Sequence, residues 1–95
     1  MDIYWDEKKA ARNLAKHKVS FKRASRVFDD PHQLTIRDPH EIEERWRTLG
    51  LVDGVLILMV VHTIEGSEHE EEKIRVISAR KATRPERDAY NARRE

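Results

Sequence analysis

The sequence predicts a small α+β protein, with helices toward its two ends and an antiparallel sheet of about four strands between them. Three observations predict this class: capped amphipathic segments near both ends, a long apolar segment in the middle, and turn signals on either side of it. Helices kept apart from a meander of strands define an α+β fold. The 95 residues are enough for one domain, residues 1–95, and no linker divides them.

The first third of the chain predicts a short strand followed by two helices. Residues 3–5 form the strand, and Asp6 ends it with a carboxylate that can accept the first N–H groups of a helix over residues 7–17. Ser20 is a similar cap for a second helix over residues 21–28, whose apolar side chains recur at helical spacing.

Two similar turn signals precede the middle of the chain. Asp30-Pro31 and Asp38-Pro39 favour turns and bracket a predicted strand over residues 33–37. Residues 45–49 alternate charged and apolar side chains, which is typical of a further strand. The next turn signals are Gly50 and Asp53-Gly54.

The strongest strand signal lies over residues 55–64. This segment is rich in β-branched residues and apolar on both faces, so we expect a central strand that is covered on both sides. Residues 65–72 predict an acidic hairpin loop, and residues 73–81 predict the returning strand. Thr83 and Glu86 have the spacing of a capping box, which starts a final basic helix ending near residue 94.

Charge and composition limit the classes of function. The chain has no cysteine, which excludes disulfides, thiolate metal sites and thiol nucleophiles. Its longest apolar run is too short to cross a bilayer and no signal peptide is evident, so we expect a cytoplasmic protein. Residues 1–28 and 73–95 each carry a net charge of +5, whereas residues 29–72 carry −9. This division indicates either a polyanion-binding surface or ordinary solvated helix faces.

The sequence resembles the BrnT family of toxins, first in its opening residues and then in the strand Ile74-Arg75-Val76-Ile77-Ser78-Ala79-Arg80. The resemblance covers nearly the whole chain except the two hairpin loops, and the loop over residues 64–72 is longer and more acidic than is usual in the family. The opening matches are Trp5-Asp6, Lys9, Asn13, Lys16-His17, Val19, Phe21, Ala24, Val27 and Phe28, and the others are Glu44-Arg45, Gly50, residues 60–63, Ala82, Glu86 and Tyr90.

The resemblance implies a fold similar to RelE-type toxins and metal-independent cleavage of RNA, which inhibits translation. It also implies inhibition by a BrnA-like antitoxin with a ribbon-helix-helix domain, whose complex with the toxin binds operator DNA through the antitoxin. A dimer or a heterotetramer with the antitoxin is consistent with this arrangement. Apolar sheet surface that the last helix leaves uncovered would suit such a partner.

RNA cleavage without a metal needs a base for the 2′-hydroxyl, cations for the phosphorane and an acid for the leaving oxygen. Arg45, Arg75 and Arg80 are the candidate cations because guanidinium groups on strands can hold phosphate oxygens rigidly. His62 titrates near neutral pH and is a candidate acid or base, with a structural role as the alternative. Tyr90 either contacts RNA or fills the core.

Basic residues outside this group are candidates for binding RNA. Lys16 and His17 lie at the predicted end of the first helix, where the helix dipole favours cations, and RNA contact is their second interpretation. The other RNA-binding candidates are Lys9, Lys81 and Arg84. His62, His69 and the glutamates at 70–72 invite a metal site, but most lie in a loop without fixed geometry, so we predict neither metal nor cofactor.

Two other functions remain open from the sequence. The chain is either a ribonuclease, a non-catalytic co-repressor that only binds a partner, or a toxin with a RelE- or ParE-like fold that acts on a protein target. Similar folds carry different functions, so the fold alone does not choose among them.

Overall fold

The computed structural model describes residues 1–40, 42–66 and 69–94. It contains three α-helices, one 3₁₀ helix and five strands in these parts of the chain. In chain order they are β1 (Asp2–Tyr4), α1 (Glu7–His17), α2 (Phe21–Ala24), the 3₁₀ helix (Ser25–Asp29), β2 (Leu34–Asp38), β3 (Arg45–Val52), β4 (Leu56–His62), β5 (Lys73–Lys81) and α3 (Arg84–Arg94).

The sheet has the strand order β1-β5-β4-β3-β2. Strands β2 to β5 form the predicted antiparallel meander, and the α+β class is confirmed. The sequence predicted the short first strand but not its partner: β1 pairs with β5 in parallel, which makes a mixed sheet of five strands. The Asp2–Tyr4 segment occupies the edge of β5 that the meander leaves open.

The two faces of the sheet are covered unequally. We call the face under α1, α2 and the 3₁₀ helix the α1 face, and the opposite one the α3 face. A large apolar cluster lies under the α1 face and includes Phe21, Val27, Leu58 and Val60, each at most 1% exposed. A smaller cluster on the α3 face consists of Leu49, Met59, Ala82 and Tyr90. Strand β4 is the middle strand of the sheet and contributes to both clusters, as predicted.

The helix caps follow the sequence closely. Asp6 accepts from the backbone N–H groups of Lys8 and Lys9 at 2.8 and 3.1 Å, and α1 has the predicted bounds. Ser20 caps α2, but α2 ends at Ala24 and the chain continues as a 3₁₀ helix. The Ser25 hydroxyl donates to the carbonyl of Lys22 at 2.8 Å, and this carbonyl is the one that a further α turn would use.

Gly50 lies inside β3 and not in the predicted turn. A Cβ atom at this position would lie 2.7 Å from the Cβ of Val27, so glycine is required where the 3₁₀ helix crosses the sheet. The turn is made by Asp53 and Gly54, whose φ angles are 56° and 68°. Strand β3 therefore continues to Val52, beyond the predicted end at residue 49.

The other predicted bounds differ by a few residues. Strand β2 is displaced by one residue from the prediction, β4 is shorter than predicted, and β5 has the predicted range. The capping box is confirmed: the Thr83 N–H donates to Glu86 at 2.8 Å and the Glu86 N–H to Thr83 at 3.4 Å. Part of the predicted acidic loop, Ser67 and Glu68, lies outside the described residues. None of the described helices is long and apolar enough to span a membrane.

A β-bulge in β5 decides which way its arginines point. Ser78 pairs with Val61, but Val76 pairs with His62, so Ile77 is an extra residue in the ladder. In a regular strand Arg75 and Arg80 would lie on opposite faces, because five positions separate them. The extra residue places both on the α3 face.

Candidate active site

Arg45 and Arg75 share one carboxylate at the open end of the α3 face. Glu43 accepts from Nε of Arg45 through Oε1 at 3.0 Å and from Nη2 of Arg75 through Oε2 at 2.6 Å. The two arginines reach it from different strands, because Arg45 begins β3 and Arg75 lies in β5 on the far side of β4. The shared carboxylate therefore fixes two cations from separate strands beside each other.

The strand register confirms that these two arginines lie on one face. Trp46 and Val76 both pair with His62, so the three side chains lie on the α1 face. Arg45 and Arg75 adjoin Trp46 and Val76 in their strands and therefore point to the α3 face.

A second carboxylate holds Arg75 from its other side. Oε2 of Glu65 lies 3.7 Å from Nε of Arg75 and accepts from the Thr63 hydroxyl at 3.2 Å. Oε1 of Glu65 accepts from the Tyr4 hydroxyl at 2.5 Å, which connects β1 to the start of the β4–β5 loop. The side chain of Arg75 is thus oriented by Glu43 and Glu65 together.

These guanidinium groups can still reach a ligand. The side chains of Arg45 and Arg75 are 25% and 26% exposed, and that of Glu43 is 38% exposed. Only Nε of Arg45 has a hydrogen-bond partner among the described residues, so its two terminal nitrogens keep their N–H groups available. A guanidinium that is anchored on one edge and free on another is suited to hold phosphate oxygens.

Hydrogen bonds at the site favour the charged forms of both carboxylates. The pKa of Glu43 is lowered, first by its hydrogen bond from Arg45 and then by the charge of Arg75. The pKa of Glu65 is lowered mainly by the hydrogen bond from Tyr4, which in turn raises the pKa of the Tyr4 hydroxyl. His40 is also close, since its Nδ1 accepts from the backbone N–H of Glu43 at 3.1 Å.

Arg80 shares the face but not the site. Its guanidinium makes two hydrogen bonds to Glu86, at 2.7 and 3.0 Å, and these lower the pKa of Glu86 to about 2. At about 3.3 Å per residue, and with one of the five positions taken by the bulge, Arg80 lies roughly 13 to 16 Å along the strand from Arg75. The three predicted arginines thus divide into a pair at the open end and one that secures the start of α3.

The structure places His62 in the core, away from all three arginines. It is 1% exposed, lies on the α1 face and stacks edge-on against Phe28 at 4.9 Å. Its Nδ1–H donates to the Thr63 carbonyl at 2.9 Å, so its Nε2 accepts from the Thr48 hydroxyl at 2.7 Å. Burial lowers the pKa of His62 and keeps the ring neutral. The proposed catalytic role is inconsistent with this position, and the structural alternative holds.

Tyr90 is a core residue as well. Its side chain is 0% exposed and its hydroxyl donates to the carboxylate of Asp30, which also accepts from the backbone of Leu51 at 2.7 Å. A ring buried in this way cannot stack on a base of RNA. Its role is to fix α3 against β3 and the turn that follows the 3₁₀ helix.

The basic candidates on α1 line a shallow groove. Lys9, Arg12, Lys16 and His17 face the bulge of β5 at Ile77 and Ser78, and we call this surface the basic groove. Asn13 forms its floor: its amide accepts from the N–H of Ala79 at 3.1 Å and donates to the carbonyl of the same residue at 2.8 Å. The amide occupies the open edge of β5 beyond β1. The other two candidates, Lys81 and Arg84, are exposed where β5 leads into α3.

Sequence reasoning missed the acidic half of the site. Glu43 lies two residues before Arg45, a spacing at which opposite charges can share one face of an extended chain. That signal was present, but the pairing of Glu43 with Arg75 depends on β4 and β5. In the parts of the chain that the structure describes, no three His, Asp or Glu side chains are grouped as a metal site would need.

The structure is a five-stranded α+β fold with a pair of partly exposed arginines on one face of the sheet. Comparison with known families identifies it: residues 5–86 match the family model described as "Ribonuclease toxin, BrnT, of type II toxin-antitoxin system". The chain belongs to this family and is a ribonuclease toxin, which confirms the resemblance seen in the sequence. Toxins of type II systems are paired with an antitoxin, so an antitoxin partner is implied.

A solved structure is also similar. The crystal structure of the Brucella abortus ribonuclease toxin BrnT is 29% identical to this chain, with a TM-score of 0.63, and the match covers 88% of this chain and 99% of that one. Comparison with curated proteins gave no match.

Proposed function

We propose that this chain cleaves RNA without a metal ion and that the reaction takes place at Arg45, Glu43 and Arg75. One observation carries the proposal: two guanidinium groups from separate strands are held side by side by one carboxylate, on an accessible part of the sheet. Cations fixed in advance are what a phosphorane needs, because they stabilise the developing charge without having to reorganise.

The basic groove would extend the RNA-binding surface around the open edge of β5, from the α3 face that carries the arginine pair toward α1. It meets β5 at Ser78, three residues along the strand from Arg75, or about 10 Å. Lys9, Lys16 and His17 would neutralise successive phosphates there, and Lys81 and Arg84 would extend the basic surface toward α3. Contacts of this kind bind the backbone of RNA and carry little sequence preference.

The partner we propose is a BrnA-like antitoxin with a ribbon-helix-helix domain. The toxin–antitoxin complex would bind operator DNA through the antitoxin only. A dimer or a heterotetramer with the antitoxin follows from that arrangement. The exposed side chains of Ile36 and Ile42 support a partner-binding surface near the site, since they are 48% and 95% exposed. We also infer a RelE-like fold and a cytoplasmic location, where cleavage of RNA would inhibit translation.

The test is cleavage of a synthetic RNA by the purified chain, freed of antitoxin, in the presence of EDTA. We expect cutting by the unaltered chain and a loss of about 100-fold or more in Arg75→Ala, in the range measured for one removed oxyanion donor. Arg37→Ala is the matched control, because Arg37 pairs with Trp46 in the next strand and so points to the α1 face. Its rate should not change.

Three results would contradict the proposal. Intact RNA in EDTA that is cut once a divalent metal is added would show metal-dependent cleavage. Intact RNA under all conditions would favour the co-repressor or the toxin with a protein target. Equal rates for Arg75→Ala and the unaltered chain would place the reaction elsewhere.

A further inference from the structure

The arginine pair provides cations but no base for the 2′-hydroxyl of RNA. His62, the base suggested by the sequence, is buried on the other face of the sheet. The group that takes this proton must lie beside the bound phosphate, because the 2′-oxygen and the phosphorus that it attacks belong to the same nucleotide.

We propose that Glu43 is this general base and that it acts through the carboxylate that bridges Arg45 and Arg75. The inference rests on the proposed function, metal-free cleavage at this site, and adds a role for a residue that is neither cation nor binding surface. Both of its ion pairs are short, at 3.0 and 2.6 Å, so a phosphate held by the same guanidinium groups must lie next to the carboxylate.

The two arginines can bind the Glu43 carboxylate and a phosphate at the same time. Glu43 uses Nε of Arg45, and the two terminal nitrogens of this guanidinium stay available to phosphate oxygens. Nη2 of Arg75 donates one of its two N–H groups to Glu43 and retains the other. Substrate therefore does not have to displace the carboxylate in order to bind.

Each step of the reaction is then accounted for. An oxygen of Glu43 takes the proton of the 2′-hydroxyl, and the 2′-oxygen forms a bond to phosphorus. The bond from phosphorus to the 5′-oxygen breaks, and that oxygen takes a proton from solvent. The products are a 2′,3′-cyclic phosphate and a 5′-hydroxyl, and Glu43 returns its proton to solvent.

The charges around Glu43 keep its carboxylate in the ionised form. Arg45 faces it from β3 and Arg75 from β5, while His40 contacts its backbone N–H and Glu65 faces the far side of Arg75. The hydrogen bond from Arg45 and the charge of Arg75 lower the pKa of Glu43, so the carboxylate is ionised at neutral pH.

Glu65 is less suited to this role, although it also contacts Arg75. Its two oxygens accept from the hydroxyl groups of Tyr4 and Thr63, so the carboxylate is held toward β1 and the β4–β5 loop. It lies 3.7 Å from Arg75 and, unlike Glu43, makes no ion pair with Arg45 among the described residues. Glu65 orients Arg75 and does not touch the reacting atoms.

The decisive variant is Glu43→Gln, which keeps the shape of the side chain and removes the base. We expect a loss in kcat of about 100-fold or more, because a positioned base contributes about 10²- to 10⁴-fold. Binding of a non-cleavable RNA with 2′-O-methyl groups should be unchanged or tighter, since one negative charge near the phosphate is lost. The acidic limb of the pH–rate profile should disappear.

Two further variants distinguish a base from a residue that only positions the arginines. Glu43→Asp should keep the acidic limb with a reduced rate, because it retains a carboxylate. Glu44→Gln should behave as the unaltered chain, since Glu44 is exposed and its ion pair is to Arg37 at 3.8 Å. Melting curves should show that all three variants are folded.

The outcomes separate this inference from the function on which it rests. If the unaltered chain cuts RNA in EDTA and Glu43→Gln does so at the same rate, or keeps the acidic limb, Glu43 is not the base and metal-free cleavage stands. If Glu43→Gln loses binding of the 2′-O-methyl RNA by the same factor as kcat, its role is positioning. If the unaltered chain does not cut in EDTA, both proposals fail.

Discussion

The two faces of the sheet differ in how far they bury their polar side chains. On the α1 face, two helices and a 3₁₀ helix cover the strands, and His62 is buried with its ring nitrogens bonded to Thr48 and Thr63. On the α3 face, a single helix covers one end through Tyr90, and Arg45 and Arg75 stay half-exposed at the other end. Neighbouring positions of the sheet are thus either buried in the core or accessible to a ligand.

In the site that we propose, the coverage of each face, more than the residue type, determines which side chains can reach RNA. A histidine is the usual choice for proton transfer at neutral pH, but burial on the α1 face removes His62 from substrate and lowers its pKa. A glutamate on the open face is available, because α3 does not extend over the end of the sheet where β3 begins.

The largest effect is expected for the two arginines of the open end. Arg45→Ala and Arg75→Ala should each reduce the single-turnover rate by about 100- to 1,000-fold. In the double variant the rate should fall by less than the product of the two single losses. The reason is that Glu43 bridges both arginines, so removing either one already disturbs the site that they share. Arg47→Ala is the control: Arg47 lies on the same strand and face but pairs with Asp38 at 2.5 Å.

Independent, multiplicative losses in the double variant would contradict a shared site. Such a result would indicate that the two arginines act independently of each other.

A smaller effect, on stability alone, is expected for the covered face. His62→Ala should reduce the free energy of unfolding by about 2 kcal/mol or more, because it leaves a cavity beside Phe28 and removes two buried hydrogen bonds. Urea denaturation at pH 7.5 measures this loss. A variant as stable as the unaltered chain would show that the α1 face does not depend on the histidine.

The smallest effect is a dependence of stability on pH. His62 has a pKa below its ordinary value of 6.5 in the folded chain, so the unfolded chain binds a proton first as the pH falls. Stability should therefore be complete above about pH 6.5 and decrease below it, by at most about 1.4 kcal/mol per pH unit for this one group.

Urea titrations between pH 7.5 and 5 in the unaltered chain and in His62→Ala measure that slope. The slope of the unfolding free energy against pH should be smaller in the variant by up to about 1.4 kcal/mol per pH unit, which corresponds to one bound proton. Identical slopes would show that the histidine is not held neutral by the core.

The local elements were readable from the sequence because local chemistry specifies them. Asp6, Ser20 and Thr83 are caps whose hydrogen bonds are made within three residues, and all three predictions were confirmed. Gly50 was misread because a glycine needed for close packing against Val27 has the same sequence signal as a glycine in a turn. Only the contact across the sheet distinguishes the two.

The site was less predictable because distant pairings form it. The sequence indicated three arginines on neighbouring strands, and the bulge at Ile77 does place them on one face. It did not indicate that Arg80 would form an ion pair with Glu86, or that Glu43 would bridge Arg45 and Arg75. These contacts depend on the register of β3, β4 and β5, which no short segment encodes.

The central claim is that the open α3 face, and not the histidine of the α1 face, carries the chemistry. The most direct test compares single-turnover cleavage in EDTA by Arg75→Ala and His62→Ala, at a temperature where both variants are folded. We predict a loss of about 100-fold or more for the first and an unchanged rate for the second. An unchanged rate for Arg75→Ala together with a large loss for His62→Ala would contradict the account.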